Sequence, residues 1–104
     1  MLVLSRKPGE SVQIGDSATL TVEQIKNRMV LLKIEGAPFS FWEGCLDTRQ
    51  DFESGQSVMC ALCDALDVKG CIIVLRRIEE RIVRFGFDAP QSVVIARTEL
   101  FEKA

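Results

Sequence analysis

Turn-forming residues cut the first 43 positions of this chain into short segments, roughly ten residues from one turn to the next. Leu2-Val3-Leu4 is ended by Lys7-Pro8-Gly9, and Ser11-Val12-Gln13-Ile14 alternates up to Gly15-Asp16. Ala18, Leu20 and Val22 then share one face while Thr19, Thr21 and Glu23 share the other, the two-residue period of a half-buried strand. The face changes at Ile25, which implies a bulge. Asn27-Arg28 is a tight turn into Met29 to Glu35, and Gly36-Ala37-Pro38 separates that segment from Phe39 to Trp42. The expected unit is antiparallel and all-β.

The last third repeats the later part of this pattern. Strands are expected over Cys71 to Arg77 and Arg81 to Phe87, around Glu79-Glu80, with Val83, Phe85 and Phe87 facing a core. Asp88-Ala89-Pro90 interrupts before a closing strand, Val93 to Arg97. Thr98 would cap a short C-terminal helix anchored by Leu100 and Phe101. Between these regions Val58, Leu62, Ala65 and Leu66 recur at helical spacing, so a helix is expected over about 56–67; a strand at Ser57-Val58-Met59-Cys60 followed by loop is the alternative. Two short matches suggest an internal repeat. Gly9-Glu10-Ser11-Val12 returns as Gly55-Gln56-Ser57-Val58, and Ala37-Pro38 as Ala89-Pro90.

At 104 residues and a mean hydropathy of +0.15, the chain is long enough for one compact domain and too apolar for a disordered tail. No apolar run approaches the roughly 20 residues of a membrane span, and the first charges follow the apolar residues, the reverse of a secretory signal; a cytoplasmic location is expected. Histidine is absent, which removes the commonest general base and metal ligand and makes an enzyme the less favoured class. Cys60 and Cys63 form a C-x-x-C pair without the βαβ context of a redox motif or a second closely spaced pair for zinc; the cysteines read as small hydrophobes, and no metal or cofactor is expected. The net charge of −2 speaks against nucleic acid until it is divided. Between Glu43 and Asp67 six acids face one base, Arg49, whereas the remainder carries 12 bases and 9 acids.

The run Met1-Leu2-Val3-Leu4-Ser5-Arg6-Lys7-Pro8-Gly9-Glu10-Ser11-Val12-Gln13-Ile14-Gly15-Asp16 closely resembles the opening of the carbon storage regulator family (CsrA, also called RsmA), small bacterial RNA-binding proteins that regulate translation. Val83-Arg84-Phe85-Gly86-Phe87-Asp88-Ala89-Pro90, continuing to Leu100, resembles its second half. Family members are five-stranded chains, little more than half this length, that form interlocked homodimers. The resemblance therefore implies an intertwined pseudo-dimeric β-barrel or sandwich in one chain. Its first copy would span 1–42, and a diverged second copy, 45–104, would carry the inserted helix. The architectural alternative is one family fold with an insertion between Pro38 and Cys71 that dimerises as usual.

The same resemblance implies where RNA binds. The family joins the first strand of one protomer to the last strand of the other and recognises a GGA motif, usually in a hairpin loop. Carried over, this gives Leu4, Ser5, Arg6 and Lys7 beside Ala89, Pro90, Val93, Ile95 and Arg97, with Arg6 and Arg97 as forked donors to phosphate or guanine. The second site would be damaged. Arg97 would be matched near Glu43-Gly44-Cys45 and the partner first strand near Leu46-Asp47-Thr48-Arg49-Gln50, within the acidic stretch. The expected function is a post-transcriptional regulator with one RNA site per chain, a monomer acting as a pseudo-dimer or, in the alternative architecture, a homodimer. The competing expectation is a protein-interaction or antagonist module acting on an ordinary family dimer; a thiol oxidoreductase using Cys60 and Cys63 ranks behind both.

Overall fold

The computed structural model describes residues 1–44 and 48–97, which form 11 strands in two antiparallel sheets. The strands are β1 (Leu2–Arg6), β2 (Ser11–Ile14), β3 (Ala18–Lys26), β4 (Met29–Glu35), β5 (Phe39–Trp42), β6 (Arg49–Phe52), β7 (Ser57–Cys60), β8 (Ala65–Val68), β9 (Cys71–Ile78), β10 (Val83–Asp88) and β11 (Ile95–Arg97). One sheet has the order β1-β10-β9-β8-β5-β6 and the other β11-β2-β3-β4-β7. Both sheets thus mix strands from the two ends of the chain. The β1 strand lies against β10, and β11 against β2.

The alternation read from the sequence becomes the core. Ala18, Leu20 and Val22 of β3 meet Ile34 and Leu32 of β4, while Val83, Phe85 and Phe87 of β10 meet Leu75 and Ile73 of β9, all buried. The expected bulge is a register shift between Val22 and Gln24, and Asn27 and Arg28 both take positive φ, as a tight hairpin turn requires.

The helix over about 56–67 is not formed. Its residues make β7, a turn and β8, so the strand alternative at Ser57–Cys60 is correct and a second strand follows it. The buried apolar residues are Val58, Cys60, Leu66 and Val68, a two-residue period on each side of the turn, whereas Leu62, needed for a helical stripe, is 53% exposed. Pairing with β4 and β5 overrides the helical spacing. The C-terminal helix expected from Thr98 onward lies outside the described residues, as does Cys45.

One turn recurs three times, at 7–10, 53–56 and 61–64. In each, the fourth residue's N–H donates to the first residue's carbonyl: Glu10 to Lys7, Gln56 to Glu53, Asp64 to Ala61. Its side chain accepts from the first residue's N–H at 2.8, 2.7 and 2.7 Å. The third residue has positive φ and donates to a strand carbonyl: Gly9 to Val22, Gly55 to Ile34, Cys63 to Leu75. The Gly9 and Gly55 matches found in the sequence are therefore a repeated turn. The turn that leads to β8, with Cys63 in place of glycine, left no such signature.

Candidate nucleic-acid interface

The turns at 7–10 and 61–64 tie the two sheets to one internal symmetry. Gly9 bonds the carbonyl of Val22 and Cys63 that of Leu75; Val22 donates to Glu10 and Leu75 to Asp64. On this correspondence β1 against β10 answers β7 against β4, and β11 against β2 answers β5 against β8. Each strand pair that begins and ends one half therefore has a counterpart. Position by position, Arg6 opposite Val83 answers Cys60 opposite Val30, and Arg97 opposite Val12 answers Phe41 opposite Leu66.

Two expectations about the second site are corrected by these registers. The counterpart of Arg97 is Phe41, a buried aromatic, and not a residue near Glu43-Gly44-Cys45. The strand that answers β1 is β7, not the stretch around residues 46–50, of which Arg49 and Gln50 belong to β6 and Leu46 and Asp47 lie outside the described residues. The β6 strand covers the outer edge of β5. Phe52 stacks on Phe39 at 5.1 Å with planes 9° apart, Arg49 lies 5.6 Å over the Trp42 ring, and Ser40 donates to Asp51 at 2.7 Å. This contact, together with Arg49 at 2.9 Å, holds the Asp51 carboxyl below the usual carboxylate range. Phe39 and Phe41 belong to the core.

The other pair of edges is open. Among the described residues β1 has one neighbour, β10, and β11 has one, β2. Their beginnings share a groove of about 280 Å³ whose lining includes Met1, Leu2, Ala89, Pro90, Val93 and Ile95. Their far ends meet at β2, where Arg6 Nη1 donates to the Ser11 carbonyl at 3.2 Å, next to Val12, the partner of Arg97. The structure thus brings the expected site residues to two converging edges. Leu4 and Ser5 are half-buried, Lys7, Pro90 and Arg97 exposed, and Ala89, Val93 and Ile95 half-buried.

Arg6, expected as a forked donor to phosphate or guanine, has its guanidinium turned inward. It is 4% exposed, because its side chain shares the inner face with Leu4, and its guanidinium also bonds the Ser5 carbonyl at 2.9 Å and lies 3.8 Å from Glu10. It ties β1 to the start of β2. Of the cysteines, Cys60 and Cys71 are buried as expected while Cys63 is exposed. Burial, reinforced by Asp64, pushes the Cys60 thiol up to about 12, the reverse of what a thiolate nucleophile needs.

The family model that matches is CsrA, a global regulator protein family, over residues 1–40. That segment is CsrA-like. The match takes in β1 to β4 and the first residues of β5, and it stops short of the Val83–Leu100 stretch that carries the other edge. No curated protein and no solved structure matches the chain.

Proposed function

We propose that the protein is an RNA-binding post-transcriptional regulator that takes a GGA-containing segment between β1 and β11, one per chain. The observation that carries this reading is the convergence of two strand edges, one of them CsrA-like and both without a second neighbour among the described residues, on a single groove, while the counterpart edge of β5 is covered by β6. With β10 as its one strand neighbour among the described residues, β1 turns the backbone groups of its other side toward the groove as donors and acceptors for base edges, and the apolar wall of Ala89, Pro90, Val93 and Ile95 offers flat contact to unstacked bases. Lys7 and Arg97 supply exposed cations for phosphate. Arg6 acts here as a positioning residue, fixing the end of β1 through Ser11.

The same reading treats the chain as a fused pseudo-dimer that is complete as a monomer, since the pairings of β1 with β10 and β11 with β2, which would join protomers, are made within one chain. The second copy then begins with β7, and β6 is an addition to the family plan. Fusion replaces association by an intramolecular step.

Titration with a short GGA hairpin tests the site. Arg97→Ala should weaken binding about tenfold, the loss of one charge-assisted contact of about 1.5 kcal/mol. The slope of log affinity against log salt should lie between about −1.4 and −2.8, for two to four phosphates. Binding that ignores both the GGA sequence and Arg97 contradicts the reading.

A further inference from the structure

The outer face of the six-stranded sheet next to β1 carries a row of arginines that the groove does not use. Arg84 of β10 stands directly between Ser5 of β1 and Arg77 of β9, and its Nε donates to Ser5 Oγ at 3.4 Å. Arg76 extends across β10 toward Met1, its Nη1 3.4 Å from the sulfur. Gly86 makes this path possible: a β-carbon there would lie 2.6 Å from Met1 Sδ and 2.8 Å from Arg76 Cδ.

Arg77 and Arg84 are like charges directly opposite one another on neighbouring strands, an arrangement that destabilises a sheet. Arg77 has Glu79 at 3.0 Å, but Arg76 and Arg84 have no ion-pair partner among the described residues. An external anion would relieve this repulsion. The internal symmetry sharpens the point, because the positions answering Arg76, Arg77 and Arg84 on the other sheet are Glu23, Gln24 and Leu31. The counterpart face carries one base, Lys33, which is paired with Glu35 at 3.4 Å, so the cluster of arginines is confined to the side of the open edges.

We propose that Arg76, Arg77 and Arg84 bind the phosphates of RNA that continues past the segment held between β1 and β11. This rests on the RNA-binding reading above and adds a second stretch of contact, read by charge and not by base. A flexible single strand leaving the groove over β1 meets Ser5 first, then Arg84, then the β9 arginines.

The test compares a short linear GGA RNA with the same RNA lengthened by about twelve uridines at one end or the other. The native protein should bind one of the lengthened RNAs about tenfold more tightly than the short one, with a salt slope steeper by about 1.4, as two added phosphate contacts predict. Arg76→Gln/Arg77→Gln should lose that gain while binding the short RNA as before; Arg28→Gln/Lys33→Gln, which removes two charges elsewhere, should keep it. Equal binding of all three RNAs by the native protein, or a gain that survives Arg76→Gln/Arg77→Gln, overturns this inference and leaves the groove reading standing. Failure of the native protein to bind any of them overturns both.

Discussion

Arg6 and Arg97 look alike in the sequence, each a basic residue near a strand end, and the fold separates them. Arg97 is exposed, whereas Arg6 is folded inward onto two backbone carbonyls and Glu10. Arg6→Ala leaves those carbonyls without their donor and should cost about 2–3 kcal/mol, read as a fall in melting temperature of about 10 °C or more. Arg97→Ala should leave the melting temperature within about 2 °C of the native value. Nothing in the sequence marked this difference, since it depends on Ser11 and Glu10 closing around β1. Cys63 makes the complementary case, with φ of 72° where its counterpart is Gly9. Cys63→Gly should raise stability by up to about 1 kcal/mol in denaturant unfolding, because glycine adopts that conformation without the steric cost. Cys60 gives a pH dependence. Its thiol is raised from 9.0 to about 12 in the fold, so its contribution is fully present below pH 9 and is lost as pH rises toward 12. The chain has no tyrosine to titrate in that window. Cys60→Ala should therefore flatten the decline of melting temperature between pH 9 and 11.

At the scale of elements, β2, β3 and β4 were legible because each buries one face, so that alternation and the turn residues agree. The strands β7 and β8, which lie in different sheets, were not, because Val58, Leu62, Ala65 and Leu66 imitate a helical stripe and the turn between the strands uses Cys63 and Asp64 in place of the familiar glycine pattern. For the site, the residues of the first strand and of Ala89 to Arg97 were legible through the family resemblance. Phe41 as the counterpart of Arg97 was not, since it depends on which strand pairs with which. The β6 strand pairs with β5 and packs on it through Phe52, which stacks on Phe39 and meets Phe41 edge-on at 6.5 Å. Phe52→Ala should destabilise the protein by about 2 kcal/mol, and amide exchange should quicken in β5 well before β3, because the loss is local to one edge.

For the whole molecule, the net charge of −2 conceals a division that follows the internal symmetry. The open edges lie beside the cluster of Arg76, Arg77 and Arg84, while the covered edge carries the pair Arg49–Asp51 and the counterpart face carries Glu23 and the pair Lys33–Glu35. On the proposed reading β1 and β11 find their partners, β10 and β2, within one chain, so the mass in solution should be close to 11.6 kDa. The most direct test of a monomer with one RNA site is the mass of its complex with a GGA hairpin under non-denaturing conditions. The account predicts one RNA on one 11.6 kDa chain. A complex of two chains, two RNAs on one chain, or no complex at all would contradict it.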